Sequence, residues 1–371
     1  MIPVTLITGF LGSGKTTLLR HLLHQPGMAR TAVILNEFGE IPLDHDLIET
    51  SDESFIRLTN GCLCCKVRSD LHVTLADLAA RRAAGAVPKF ERVAIETTGL
   101  ADPAPILQTL VSDPAISAMY ALENVITTVD AVTGLATLDR HEEALRQAAV
   151  ADRIVITKTD LGKAQPQALA ARLRSFNPGA ALLKVQHGIV DASAIIGFER
   201  QHAPDLQAWL AHHGTEAPHR HGKDFETFCI VREEPVHAVA LGLFLSGLAD
   251  NLGANLLRMK GIVNVLEEPH RPAVIHGVQH VYCPPEWLAG WPSDDRRTRI
   301  VFIGRGIPER WVRTLLDLLD SESAEFASQS VRLDVRAKLS GRRRAAGSAH
   351  ALQLLHDFGC CERLHQFGVK P

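Results

Sequence analysis

Gly9-Phe10-Leu11-Gly12-Ser13-Gly14-Lys15-Thr16-Thr17 fits the pattern G-x-x-x-x-G-K-[ST], and its reading decides the fold of the first half of the chain. An apolar run, Val4 to Ile7, leads into it, and Leu18-Leu19-Arg20-His21-Leu22-Leu23 follows with helix-like spacing. Strand, glycine-rich turn and helix in that order make a phosphate cradle. Gly9, Gly12 and Gly14 let backbone N–H groups turn inward around the phosphates, and the helix N-terminus adds partial positive charge. Ser13 and Thr17 complete the loop. In such a loop Lys15 neutralises the β- and γ-phosphates, while the Thr16 hydroxyl ligates Mg²⁺. A chance glycine-rich turn is the bland alternative, and the flanking strand and helix weigh against it.

Further short apolar runs, Ala32 to Leu35, Val93 to Ile95, Val125 to Val129, Ile154 to Ile156 and Leu182 to Val185, alternate with helix-like segments as far as about Val190. Such alternation predicts an α/β phosphate-loop NTPase fold, a mainly parallel sheet flanked by helices, with ligands at the carboxyl ends of the strands. Glu96-Thr97-Thr98-Gly99 closes one run. A carboxylate there meets the Mg²⁺ shell, and a backbone N–H near Gly99 senses a γ-phosphate; a turn-capping role for Glu96 is the alternative. Thr157-Lys158-Thr159-Asp160 closes another run and is close to the guanine-reading pattern N-K-x-D. The Asp160 carboxylate can accept from both the N1–H and the exocyclic amine of guanine, a pair adenine lacks, so GTP is the expected nucleotide. Lys158 is expected along the base. Thr157 stands where asparagine is usual, which leaves the contact made by that amide open. Lys15, Thr16 and Glu96 form the expected catalytic set.

Asn60-Gly61-Cys62-Leu63-Cys64-Cys65 lies between the second run and the Glu96 run, where nucleotide-responsive segments sit in GTPases. Three thiolates within four positions can converge on a soft ion such as Zn²⁺, with Glu37 at the end of the second run as a fourth ligand. Buried structural cysteines or a redox pair are the other readings.

Composition narrows the partners. The 371 residues carry 39 basic and 42 acidic side chains, a net charge of -3, so no global field favours nucleic acid or an anionic membrane. No run approaches the ~20 apolar residues of a membrane span, and the start lacks the basic segment of a secretory signal, so a cytoplasmic protein is expected. Its 7 cysteines, clustered as they are, do not form the pattern of a disulfide framework.

Four segments are expected: a GTPase domain over 1–200, a histidine-containing linker over 201–224, a smaller α+β domain over 225–320, and a polar tail over 321–371, partly disordered or a loosely docked helix. The linker holds His202, His212, His213, His219 and His221. Within 225–320, strands are expected at Phe225 to Val231, Ile262 to Leu266, Ala273 to Ile275, Val278 to Tyr282 and Arg299 to Ile303. Helices are expected at Val236 to Met259 and Ile307 to Leu319.

GFLGSGKTT, NEFGE, GCLCC, ETTGLADP and TKTD, in this order, resemble the CobW-type GTPases, a family of metallochaperones and metal-centre assembly factors. Phe225 to Leu319, with Arg258-Met259-Lys260-Gly261, is similar to that family's C-terminal domain. The resemblance implies GTP hydrolysis, giving GDP and phosphate, coupled to delivery of a transition metal to a client metalloprotein. Zinc leads, with Co²⁺ or Ni²⁺ as alternatives. Gly9 to Thr17 would bind phosphates, Glu96 would serve Mg²⁺ and hydrolysis, Thr157 to Asp160 would read guanine, and Cys62, Cys64, Cys65 and Glu37 would hold the metal. Phe10, Leu11 and Ser13 fill the variable loop positions, so no extra loop lysine is donated across a dimer, although a homodimer stays open. The linker histidines would be a loading site or merely solvated, and Cys360 and Cys361, with His356 and His365, are a weaker candidate patch. Other readings are cobalt handling for cobalamin synthesis, activation of a metalloenzyme such as nitrile hydratase, a non-catalytic metal store, and a small-molecule kinase.

Overall fold

A computed structural model describes residues 1–36, 56–59, 67–195, 219–221, 225–253, 255–282 and 285–339. They fall into two compact units, the second beginning at Phe228.

The first unit runs β1 (Ile2–Gly9), α1 (Lys15–Leu23), β2 (Thr31–Asn36), β3 (Ile56–Thr59), α2 (Val67–Ala83), β4 (Arg92–Thr97), α3 (Ala104–Ser112), α4 (Pro114–Ser117), β5 (Tyr120–Asp130), α5 (Gly134–Arg140), α6 (Glu142–Ala149), β6 (Arg153–Thr157), α7 (Pro166–Phe176) and β7 (Ala181–Lys184). Its sheet has the order β3-β2-β4-β1-β5-β6-β7, with every pairing parallel. The six expected runs are all strands, and β3 is a seventh that the sequence reading did not include. Strands covered on both faces read as continuous apolar runs, and β6 is buried along its whole length. The helix α1 buries Leu18, Leu19, Leu22 and Leu23 against Ile7, Val33 and Ala94 of the sheet. Each such leucine stabilises the fold by about 1.5–3 kcal/mol. That burial anchors the helix whose first turn borders the glycine loop.

From Phe228 onward the second unit contains most of β9 (Phe225–Arg232), then α8 (Ala238–Leu252), β10 (Leu256–Val263), β11 (Ala273–Val278), β12 (Val281–Tyr282), β13 (Glu286–Trp287), β14 (Thr298–Gly304) and α9 (Glu309–Leu339). Its strands follow the order β12-β11-β10-β14-β9, with β13 on β11. Phe244 of α8 is fully buried in a core with Leu248, Met259, Ile275 and Leu316, and Phe228 stacks on Phe302 at 4.9 Å between centroids. A small α+β domain, as expected, results.

Several local expectations change. The helix expected over Ile307 to Leu319 is Glu309–Leu339, extending into the expected tail, and the strand expected as far as Leu266 ends at Val263. The helix expected as far as Met259 stops at Leu252, and Leu256–Val263 is a strand paired antiparallel to β11 and β14. Leu256 to Met259 has ample helix propensity, but pairing on both sides and burial override it, with Gly253 at the break. The strand expected over Val278 to Tyr282 is a tight hairpin, Val278 opposite Val281, with Gln279 at φ 53 in its turn. His219–His221, assigned to the linker, form a short strand β8 antiparallel to β9.

Candidate functional site

Gly9 ends β1 in the middle of the first sheet, so the loop after it opens at the centre of the carboxyl edge. At Gly9 φ is 142, and a Cβ there would stand 2.4 Å from Thr128 Oγ1 and 2.5 Å from the Thr128 carbonyl. Glycine alone allows that approach. Gly12 and Gly14 also have positive φ, 68 and 95. Ser13 N–H donates to the Phe10 carbonyl at 3.1 Å, and the Ser13 and Thr128 hydroxyls share a hydrogen bond of 2.6 Å. No side chain caps α1 at Gly14, and its first turn holds no acidic residue. Its first N–H groups, with the Lys15 ammonium, therefore suit an anion. Lys15 is buried, and its ammonium donates to the Phe10 carbonyl at 3.2 Å.

Thr16, on the same turn of α1, donates its hydroxyl to Glu96 Oε1 at 2.7 Å. Glu96 is 3% exposed at the end of β4, next to β1. The two residues expected around Mg²⁺ are thus hydrogen-bonded to each other, two hard oxygen donors beside the phosphate loop.

Beyond Glu96, Thr97 donates to the Thr8 hydroxyl at 2.8 Å. Gly99 lies against the loop: a Cβ there would come within 2.6 Å of Leu11 N. Gln147 of α6 donates from Nε2 to the Gly99 carbonyl at 3.2 Å and the Ala101 carbonyl at 3.0 Å. Its neighbour Arg146 donates to Asp102 at 3.0 Å. Neither α6 residue stood out in the sequence. The available signal was a glutamine amid Ala144, Leu145, Ala148 and Ala149, all of which are buried.

Thr157 ends β6 and donates its hydroxyl to the Ser13 carbonyl at 2.6 Å. The residue that replaces the usual asparagine therefore ties its loop to the phosphate loop. Lys158, at φ 56, points its ammonium to Asp130 Oδ2 at 2.8 Å. Burial pushes the Asp130 carboxyl up, but Lys158 and the N–H groups of Val132 and Thr133 outweigh it and hold the group below the usual carboxylate range. Asp160 lies 3.7 Å from His187 Nδ1, in a turn after β7 where His187 and Gly188 both have positive φ. Thr159 donates to the Val185 carbonyl at 2.9 Å, so this turn borders the Thr157–Asp160 loop. The sequence reading did not include His187 or Gly188, for which a His-Gly pair after an apolar run was the signal.

Three expected segments, Gly9 to Thr17, Glu96 to Gly99 and Thr157 to Asp160, thus meet at one edge of one sheet. Glu37, Cys62, Cys64 and Cys65 lie outside the described residues, as do His202, His212, His213, Cys360, Cys361, His356 and His365. Among the described residues no group of three or more His, Cys, Asp or Glu side chains could hold a metal, and no helix is long and apolar enough to cross a membrane.

The family model described as "CobW/HypB/UreG, nucleotide-binding domain" matches residues 3–184, and that of the "Cobalamin synthesis protein cobW C-terminal domain" matches 225–319. "Zinc chaperone YjiA" of Escherichia coli (strain K12) is 35% identical over 315 residues, covering 84% of this chain and 96% of that protein. "Zinc chaperone CobW" of Sinorhizobium sp is 31% identical over 342 residues, covering 82% of this chain and 92% of its own. The solved structure of the Zn(II)-bound YjiA GTPase from E. coli superposes with a TM-score of 0.62 at 31% identity, over 86% of this chain and 98% of that one.

Proposed function

We propose, from the premise that this chain belongs to the CobW/HypB/UreG family, that it is a GTP-hydrolysing metallochaperone, passing a transition metal, zinc first, to a client protein. The observation that carries the nucleotide half is the Thr16–Glu96 hydrogen bond of 2.7 Å beside a loop built from Gly9, Gly12, Gly14 and Lys15. The metal half is supported by the names of the relatives and by Cys62, Cys64, Cys65 and Glu37 in the sequence.

In this reading the loop N–H groups and Lys15 hold the β- and γ-phosphates of GTP, and Ser13 is kept in place by Thr128 and Thr157. The oxygens of Thr16 and Glu96 fit Mg²⁺, a hard cation that, when bound, neutralises charge developing on the phosphates. Glu96 orients the Thr16 hydroxyl, and Gly99 brings its backbone against the loop at Leu11. Asp160 accepts from guanine, with Lys158 held by Asp130 and the His187 turn bordering it. The thiolates would take zinc as cargo, and the interval they occupy, between β3 and α2, would couple their grip to the γ-phosphate.

The test is GTPase turnover of the purified chain without metal and with Zn²⁺, Co²⁺ or Ni²⁺, beside Zn²⁺ affinity measured with GDP and with a non-hydrolysable GTP analogue. Lys15→Ala should abolish turnover, and replacement of Cys62, Cys64 and Cys65 should remove the metal response. Equal zinc affinity in both nucleotide states, with turnover indifferent to metal, would sink the coupling.

A further inference from the structure

The segment Thr98 to Asp102 is held from two sides, and the second hold lies outside the three nucleotide motifs. One side is the phosphate loop, since Gly99 abuts Leu11 so closely that a Cβ would stand 2.6 Å from its backbone N. The other is α6. Gln147 is fully buried, and its backbone carbonyl accepts from the Thr127 hydroxyl of β5 at 2.7 Å, so its side chain leaves from a fixed base. The Nε2 group has two hydrogens and faces two carbonyls, those of Gly99 and Ala101. One turn of chain further on, Asp102 accepts from Arg146 at 3.0 Å and caps the Ala104 N–H at 2.9 Å.

These contacts fix the direction of two backbone donors. A trans peptide is planar, so its C=O and N–H point opposite ways. The Thr98 carbonyl accepts from the Ala101 N–H at 3.2 Å, inside the turn, which directs the Gly99 N–H outward. The Gly99 carbonyl is taken by Gln147, which turns the Leu100 N–H away from α6. Without Gln147 the Gly99 carbonyl loses its hydrogen bond to α6, and a rotated Gly99–Leu100 peptide would present a carbonyl oxygen where a donor is needed.

We propose that Gln147 is a positioning residue for triphosphate recognition: it holds the Gly99–Leu100 peptide with its N–H toward the nucleotide, with Arg146 steadying the same segment through Asp102. The inference rests on the GTPase reading above. It assigns to α6 the discrimination between GTP and GDP, because a diphosphate makes no demand on this segment while a γ-phosphate does.

The test uses the full chain as wild type, Gln147→Leu, Gln147→Glu and Arg146→Ala, with Mg²⁺, fluorescent GDP, a fluorescent non-hydrolysable GTP analogue, and steady-state GTP turnover. Leu has similar bulk and no donor, and Glu places a carboxylate against two carbonyls. All three variants should keep GDP affinity within about twofold of wild type. Both Gln147 variants should bind the GTP analogue at least about fivefold more weakly and lose about tenfold in kcat, with a smaller effect from Arg146→Ala, the half-exposed site that tolerates substitution if Gln147 does not. Equal weakening of GDP and analogue would mean a merely structural role and overturn the proposal, as would unchanged analogue affinity and kcat. A wild-type chain that neither binds nor hydrolyses GTP would remove the GTPase reading itself, whereas an active wild type with wild-type-like variants removes this inference alone.

Discussion

Replacing Thr157 by valine tests how the guanine loop is fastened to the phosphate loop. Valine has nearly the shape of threonine, so no cavity opens; what disappears is a 2.6 Å hydrogen bond to the Ser13 carbonyl, made by a side chain only 3% exposed. Ser13 is itself buried, so its carbonyl loses a donor that water cannot readily replace. Leaving a buried acceptor unsatisfied costs about 1–3 kcal/mol. The added methyl offsets a few tenths, so about 1.5 kcal/mol of stability should be lost, lowering Tm by about 3–6 °C for a unit of this size. Because Ser13 is a member of the phosphate loop, the same loss should weaken GDP binding about tenfold at most, each 1.4 kcal/mol being one decade. The assay pairs thermal denaturation followed by circular dichroism with a fluorescent-GDP titration on the wild type, Thr157→Val and Thr157→Ser. Serine keeps the hydroxyl and should stay close to wild type in affinity. If valine matched wild type in both Tm and GDP affinity, or if serine and valine were equally impaired, the hydroxyl would not be the fastening and the reasoning would be wrong.

Gly9→Ala places a Cβ against the Thr128 hydroxyl and carbonyl at a backbone angle that disfavours side chains; a loss of about 2–4 kcal/mol in urea denaturation and failure to retain GDP are expected, and wild-type-like binding would contradict the geometry. Asp130 titrates below the usual carboxylate range in the folded chain, so the stability it contributes is fully present above the unfolded carboxyl pKa of about 4 and drains away as pH falls through the lower folded value. Denaturation midpoints from pH 7 to pH 3 should therefore fall more steeply for wild type than for Asp130→Asn, and parallel curves would refute the assignment. Phe244→Ala, in the second core, should cost about 3–5 kcal/mol in the denaturation of that unit, and a cost under 1 kcal/mol would mean its surroundings are not packed as described.

Features written in consecutive residues are legible in the sequence itself. A strand, a glycine turn and a helix within Val4 to Leu23 announce a phosphate loop because every group that makes it is local. Most apolar runs of the first sheet are legible for a related reason: strands buried on both faces, such as β4 and β6, show mainly apolar side chains. Reading failed where local preference and tertiary context disagree. Leu256 to Met259 carries helix formers and sits in the middle of a sheet, because two neighbouring strands, β11 and β14, supply hydrogen bonds that no propensity reveals. Ile56–Thr59 alternates apolar and polar residues instead of forming an apolar run, and is a strand by virtue of its partner β2.

The candidate site follows the same division. By themselves Gly9 to Thr17, Glu96, Gly99 and Thr157 to Asp160 could be named from the sequence, with the chemistry each suits. Their meeting is a matter of strand order, β4 on one side of β1 and β5 then β6 on the other. Only that order brings Thr16 to Glu96 across 80 positions, Ser13 to Thr128 across 115 and Thr157 to Ser13 across 144. The grip of Gln147 on Gly99 belongs to the same class: an amide on an alanine-rich helix carries no signature until folding sets two backbone carbonyls in front of it. Composition and motif determine which groups are available, while long-range packing decides which of them touch, because contact between distant residues depends on the path of the whole chain.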